Sequence, residues 1–233
     1  MKKSRKSAFY LDESENLHVS VHLTEDGKIC RYHILKDQIS RQAAAYASIK
    51  IDLTECKQSI EYLKSIKEIS QIPKFVKTSL LFSSVILYAK CFSSGEGRGT
   101  SIQKEEVFKG INPSHINFHE EVIELRNKYL AHAGNSNHES RAVILILNPD
   151  LENKRIEGPK FAGIKLKDDD SNLDSYIDLF DVVISHVDSK FEKLKSKIQD
   201  EVDKLDINDI YDNSKLPEKD KFIEISLGDA SET

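Results

Sequence analysis

The sequence predicts a mainly α fold, a four-helix bundle carrying small β-hairpin additions. Three observations predict it. Four segments repeat apolar residues at three- and four-residue steps, two short stretches alternate apolar and polar residues around a turn signal, and Gly, Pro and Ser clusters separate these segments.

Residues 1–7 are basic and read as a disordered start. Leu17–Leu23 (LHVSVHL) and Ile29–Leu35 (ICRYHIL) alternate around Thr24-Glu-Asp-Gly-Lys28, which predicts a hairpin. Its His18, His22 and His33 are simplest as side chains on the hairpin faces, since no Cys or carboxylate completes a metal-ligand pattern. From Asp37 to Lys67 the stripe Ile39, Ala43, Tyr46, Ile49, Leu53, Cys56, Ile60, Leu63, Ile66 predicts a long amphipathic helix. Pro73 suits the first turn of the next helix, Lys74–Phe92. That helix is nearly apolar all round, and Ser79, Ser83 and Ser84 offer small positions for close approach; it reads as the central helix of the bundle. Ser93–Thr100 (SSGEGRGT) is a glycine-rich loop with no GKS or GKT and no preceding strand, so a nucleotide P-loop is not expected. A short helix over Lys104–Lys109 precedes the helix that Asn112-Pro113 starts. After Gly134, Ala142–Leu147 (AVILIL) predicts a strand, Asn148-Pro149-Asp150 a turn, and Lys160–Leu166 an antiparallel return, and the two hairpins are expected to share one sheet. Leu173–Leu205 predicts the last long helix, with Leu173, Ile177, Phe180, Ile184, Val187, Phe191, Leu194, Ile198, Val202 and Leu205 on its stripe. The organisation is thus an N-terminal extension (1–36), a helical domain (37–205) with a hairpin insertion at about 141–166, and an acidic tail (206–233).

At 233 residues, 39% hydrophobic and 31% charged, the chain is long enough to bury a core and too polar to be membrane-embedded. Its longest apolar run, Ser79–Phe92, is interrupted by serines and Lys90, and no membrane partner or signal peptide is expected. Cys30, Cys56 and Cys91 are widely spaced without a CxxC pair, as suits reduced thiols in a cytoplasmic protein. The net charge of −5 is uneven: residues 200–233 hold four Lys against eleven Asp or Glu, leaving +2 on the rest. A nearly neutral body can hold a local basic groove, while the tail reads as a solvated end.

The helix His115–Gly134 (HINFHEEVIELRNKYLAHAG) holds the chemistry. Projected at about 100° per residue, Phe118, Val122, Leu125 and Tyr129 share one sector and Ile116, Ile123 and Leu130 a second. Glu120, Glu121, Glu124 and Lys128 take the solvent side. Arg126 and His119, seven residues apart, point between the apolar sectors, where an unpaired guanidinium is strongly disfavoured. Arg126 therefore needs an anion. His132 lies in the last turn before Gly134, the expected left-handed C-cap, and the helix's negative end favours its protonated form.

The run from Arg126 to His132 (RNKYLAH) resembles the R-x(4–6)-H signature of the HEPN superfamily, the higher eukaryote and prokaryote nucleotide-binding domains, and LRNKYLAHAG is similar to its abortive-infection-type bacterial branch. The resemblance implies an HEPN-like bundle, often a two-fold dimer, and in many members metal-independent RNA cleavage in toxin–antitoxin or antiviral defence. Such cleavage needs the 2′-OH deprotonated, the 5′-oxygen protonated and the phosphorane's charge stabilised. His132 suits general acid or base work, Arg126 offers a planar fork to phosphate oxygens, and Asn127 would orient the phosphate or the histidine. On an ideal helix Arg126 and His132 lie about 120° apart, so two paired helix ends would complete the groove. Arg98, Lys128, His119 and Tyr129 are candidate substrate contacts; Arg98 also reads as a solvated loop residue and His119 as a hydrogen-bonded core histidine. The pair His115/His119 lacks the glutamate of HExxH, and no metal or cofactor is expected. Where HEPN toxins controlled by minimal nucleotidyltransferases have a tyrosine two residues after the histidine, this chain has Gly134, so a different antitoxin or defence-system partner is expected. The expected partners are RNA and a second copy. The alternative is a non-catalytic HEPN-like module for RNA binding or protein assembly.

Overall fold

The structure is a computed structural model of the chain and describes residues 7–14, 17–93, 99–130, 139–149, 154–165, 172–218 and 221–225. It is mainly helical and divides into two units, residues 38–197 and residues 1–37 with 198–233.

The first unit begins with α1 (Gln38–Ile66), whose buried residues Ala43, Tyr46, Ile49, Leu53, Cys56, Ile60, Leu63 and Ile66 are the expected stripe. It packs along α2 (Lys74–Phe92). Where the two cross, Ser84 Oγ donates to the carbonyls of Leu80 at 2.9 Å and Cys56 at 3.2 Å, and the Cys56 thiol donates to the Ser84 carbonyl at 3.3 Å. Both side chains are small and fully buried, so backbone meets backbone with every polar atom satisfied. Burial holds the Cys56 thiol well above its usual range. Asp52 and Lys90 tie the same helices at 3.1 Å.

The expected central helix, α2, is buried along one side only. Leu81, Ser84, Val85, Tyr88, Ala89 and Cys91 are buried, but Phe75, Ser79, Ser83 and Ile86 are exposed. Of the three serines, Ser84 alone serves close approach. By length and composition α2 is the one helix among the described residues able to cross a membrane, and 33% of its apolar window is buried within the structure.

After α3 (Lys104–Val107), α4 spans Pro113–Glu124. Asn112 caps it, its side chain accepting from the Ser114 N–H at 3.0 Å, with Pro113 in the first turn. Helix α5 (Leu173–Val202) buries Leu173, Tyr176, Leu179, Phe180, Val183 and Val187. The expected centre of its stripe is therefore displaced: Ile177 and Ile184 are half-buried margins, because the apolar sector is wide and aromatic packing chooses its middle. Tyr176 meets Phe118 at 4.9 Å and Phe180 at 6.0 Å between ring centroids.

Strands β3 (Glu139–Leu147) and β4 (Ile156–Lys165) form the inserted antiparallel hairpin. It is a sheet of its own, contrary to the expectation of one shared sheet.

The second unit is a three-stranded antiparallel sheet in the order β2 (Leu17–Ser20), β1 (Ser7–Asp12), β5 (Phe222–Ile225). The expected turn at Thr24–Lys28 forms, with Leu23 bridging Ile29. The expected partner strand does not: Leu17–Ser20 pairs with β1, while Tyr32 exchanges backbone hydrogen bonds of 2.9 and 2.8 Å with Lys215. The acidic tail is likewise not merely solvated. It forms α6 (Ile207–Asp212) and supplies β5 to the far side of β1.

One buried carboxylate joins these ends. Asp12 Oδ1 accepts from the Ser14 N–H and hydroxyl, and Oδ2 accepts from Tyr32 Oη and Lys215 Nζ, both at 2.7 Å. Lys215, Ser14 and Tyr32 hold the Asp12 carboxyl far below the usual range, and burial then Asp12 push the Tyr32 hydroxyl up.

Two outcomes follow from these contacts. Ser84→Leu forces a large side chain between α1 and α2 and lowers stability by about 1–3 kcal/mol in urea unfolding. The Asp12 clasp has a folded pKa below its unfolded value of about 3.9, so its contribution is complete above about pH 5 and declines as pH falls below ~4. Protection of the Tyr32 and Lys215 amides from hydrogen exchange, relative to their intrinsic rates at each pH, should fall over that acid range in the native chain and already be low at neutral pH in Asp12→Asn.

Candidate functional site

The chain's site-forming segment changes helical type at the residues singled out by the sequence. α4 stops at Glu124 and Leu125–Leu130 continues as a π-helical turn, in place of one α-helix reaching Gly134. Such turns widen the helix and replace its regular bonding with i→i+5 bonds. Arg126 and Asn127 sit at the start of the widened turn. The buried face leading to it is His119, Val122 and Leu125.

A cavity of about 510 Å³ opens beside this turn. The C-terminal end of α2 supplies Ala89, Phe92 and Ser93, the following loop Ile102 and Gln103, and α3 Lys104 and Glu105; His119, Glu120, Ile123, Arg126 and Asn127 form the other wall. The loop is returned to α2 by the Ile102 N–H, which donates to the Cys91 carbonyl at 3.0 Å. Lys104 and Glu120 pair at the wall, and that bond keeps the Glu120 carboxylate below its usual range.

His119 is 3% exposed and enclosed by rings: Phe92 at 4.6 Å, Phe108 at 5.0 Å and Tyr88 at 5.7 Å between centroids. Its Nδ1 lies 2.8 Å from the Tyr88 hydroxyl. Burial depresses its pKa to about 4, with the Lys104 cation adding to the shift and Glu120 opposing it. At neutral pH it is an uncharged ring held at one nitrogen by a tyrosine. That is a hydrogen-bonded core histidine, and it also lines the cavity.

Arg126 is half-buried, and its Nη1 donates to Asn127 Oδ1 at 2.9 Å. Among the described residues no carboxylate reaches the guanidinium. The chain thus presents a planar cation, oriented by its neighbour, on the wall of a cavity that also holds a neutral histidine and two amide side chains. An anionic ligand with planar oxygens, a phosphate or carboxylate, is what such a fork pairs with.

Of the other candidates, Lys128 is exposed, bonds to Glu124 at 2.5 Å and does not line the cavity. Tyr129 belongs to the π-helical turn by its backbone. His132 and Arg98 lie outside the described residues. Of the His115/His119 pair, His119 Nδ1 is engaged by Tyr88 and His115 Nδ1 is buried without a hydrogen-bond partner among the described residues.

Sequence reasoning missed Tyr88, Phe92, Gln103 and the Lys104–Glu120 pair. Tyr88 carried a signal, since a buried tyrosine in an apolar helix needs a partner for its hydroxyl. Gln103 and Lys104 carried none, being loop and short-helix residues placed only by the chain's return to α2.

No protein-family model, no curated protein and no solved structure matches the chain.

The depressed pKa of His119 has a measurable consequence. The unfolded imidazole takes up a proton near ~6.5 while the folded one does not until about 4, so folding stability falls as pH drops through that interval. The native chain should lose on the order of 2–3 kcal/mol between those pH values, read from urea midpoints; His119→Gln should flatten the profile there. Tyr88→Phe leaves the imidazole without its buried partner and destabilises by about 1–3 kcal/mol.

Proposed function

We propose that the chain is an HEPN-like helical domain acting as a metal-independent endoribonuclease, a toxin or phage-defence effector in the cytoplasm. The observation that supports this reading most directly is Arg126, oriented by Asn127 on a widened helical turn, half-buried at a cavity wall with no carboxylate beside it among the described residues. A structural ion-pair arginine would have its anion in the fold. Among the described residues this one has no such anion, which leaves its fork for an anionic ligand.

In the proposed reaction Arg126 binds the non-bridging oxygens of the scissile phosphate and stabilises the charge that accumulates as the 2′-oxygen attacks phosphorus. His132 transfers the proton, taking it from the 2′-OH or giving it to the departing 5′-oxygen. The products are a 2′,3′-cyclic phosphate and a free 5′-hydroxyl. Asn127 acts as a positioning residue on the guanidinium. His119 contributes a neutral hydrogen-bonding wall, because its depressed pKa removes it from proton transfer at neutral pH. A second copy of the chain supplies the other half of the groove, and an antitoxin or defence-system protein restrains it.

The exposed apolar side chains of the β3–β4 hairpin favour a second reading, a non-catalytic module that assembles with other proteins. The two separate in one assay. Purified protein is incubated with labelled tRNA and mixed RNA, with and without EDTA, beside Arg126→Ala and His132→Ala. The nuclease reading expects cleavage that survives EDTA, leaves cyclic phosphate ends, and drops at least about 100-fold in either variant, the scale of losing general acid–base catalysis, with helical circular dichroism retained. Intact RNA after incubation with the folded chain favours the assembly module.

A further inference from the structure

The β3–β4 hairpin is the part of the helical unit whose surface chemistry least suits water. Every residue from Val143 to Leu147 is exposed, and so is Ile156. Side chains alternate across a strand, so Val143, Leu145 and Leu147 (57–62% exposed) occupy one face and Ile144 and Ile146 (38–42%) the other. Apolar side chains are thus open on both faces at once. Among the described residues, the hairpin's extensive packing is strand against strand. A two-stranded ribbon is marginal by itself.

Its two edges differ. The outer edge of β4 contains Pro159, opposite Leu145, which lacks the N–H that an added strand would use. The outer edge of β3 has no proline, and Ala142–Leu147 contains no charged residue. Edge strands are ordinarily guarded by Lys, Pro or a bulge. β4 carries both the proline and the extra residue, Glu157, of the irregularity facing Ile146/Leu147, whereas β3 carries neither.

We infer that β3 pairs antiparallel with β3 of a second copy of this chain about a two-fold axis, forming a four-stranded sheet. Edge pairing gives the open N–H and C=O groups of β3 partners and sets its exposed aliphatics beside like ones about 4.5–5.5 Å away across the seam. Pro159 then stands on each outer edge, so the assembly closes at two copies and does not grow into a fibre. With no charge between Ala142 and Leu147 to select a different partner, the strand is complementary to itself.

This inference does not depend on the nuclease reading, and its test measures mass, not cleavage. The full chain at tens of micromolar is followed by light scattering during size exclusion, beside the double variant Val143→Lys, Leu145→Lys. Both residues are solvent-exposed in the single chain, so the variant should retain its helical circular dichroism. The expected result is a variant with half the mass of the native protein: one 26.5 kDa chain against two, or two against four where copies also meet through the Arg126 helix. A monomeric native protein overturns the seam, as does one that stays monomeric and cosediments with phosphatidylcholine vesicles. A native mass that persists in the folded double variant also overturns it, while leaving a contact through the Arg126 helix intact. As an independent check, Leu145→Pro, opposite Pro159 and so removing an N–H from the open edge rather than from the β3–β4 ladder, should abolish the seam, whereas Ile51→Lys, on the exposed side of α1, should leave it unchanged.

Discussion

The hydrogen bond between the Tyr88 hydroxyl and His119 Nδ1 is the contact on which the geometry of the helical unit turns. Tyr88 is fully buried, with Phe92 and Phe180 each 5.1 Å away, and it reaches from α2 to α4 across the core. Neither polar group has another partner among the described residues. Losing either would strand the other in an apolar enclosure, so the bond fixes the rotation of α4 about its axis. Once His119 faces inward, Val122 and Leu125 follow on the same face and Arg126 comes to the cavity wall.

The same enclosure determines the electrostatics. A ring of Phe92, Phe108 and Tyr88 leaves the imidazole with no water to stabilise a proton, so the site's fixed positive charge lies in Arg126 and Lys104, and Glu120 neutralises the second of these. The chain's overall charge of −5 thus says little about what the cavity attracts. Burial decides which groups are charged; ion pairing decides which charges remain available.

The terminal unit is organised by the opposite device, a carboxylate kept ionised in a nearly closed setting. Asp12 accepts bonds from a backbone amide, two hydroxyls and an ammonium group, and the residues that supply them come from both ends of the chain. A sheet made from β1, β2 and β5 has too little apolar surface to stand on packing alone, and the clasp supplies directionality that packing lacks.

The amino-acid order by itself determined where helices run, which faces of them are apolar, and that one arginine is drawn toward the interior. These are local properties: the three- and four-residue steps of α1, the Asn112-Pro113 start of α4 and the apolar run of β3 require only the chain's own geometry, and Ile49, Leu53 and Ile60 are buried where the pattern places them. Only the tertiary structure decided what those faces meet. The partner of Leu17–Ser20 is β1, because β1 supplies a strand on which β5 also pairs; the buried side of α5 takes in Tyr176 and Phe180, because Phe118 and Tyr88 pack on them; and Phe92, Gln103 and Lys104 join Arg126 at one cavity although the sequence separates them by more than twenty residues. Hydrophobicity is non-directional and satisfied by any apolar neighbour, so a sequence pattern can name a buried face but not its occupant. That choice belongs to long-range packing and to the few buried polar groups that must each find a partner.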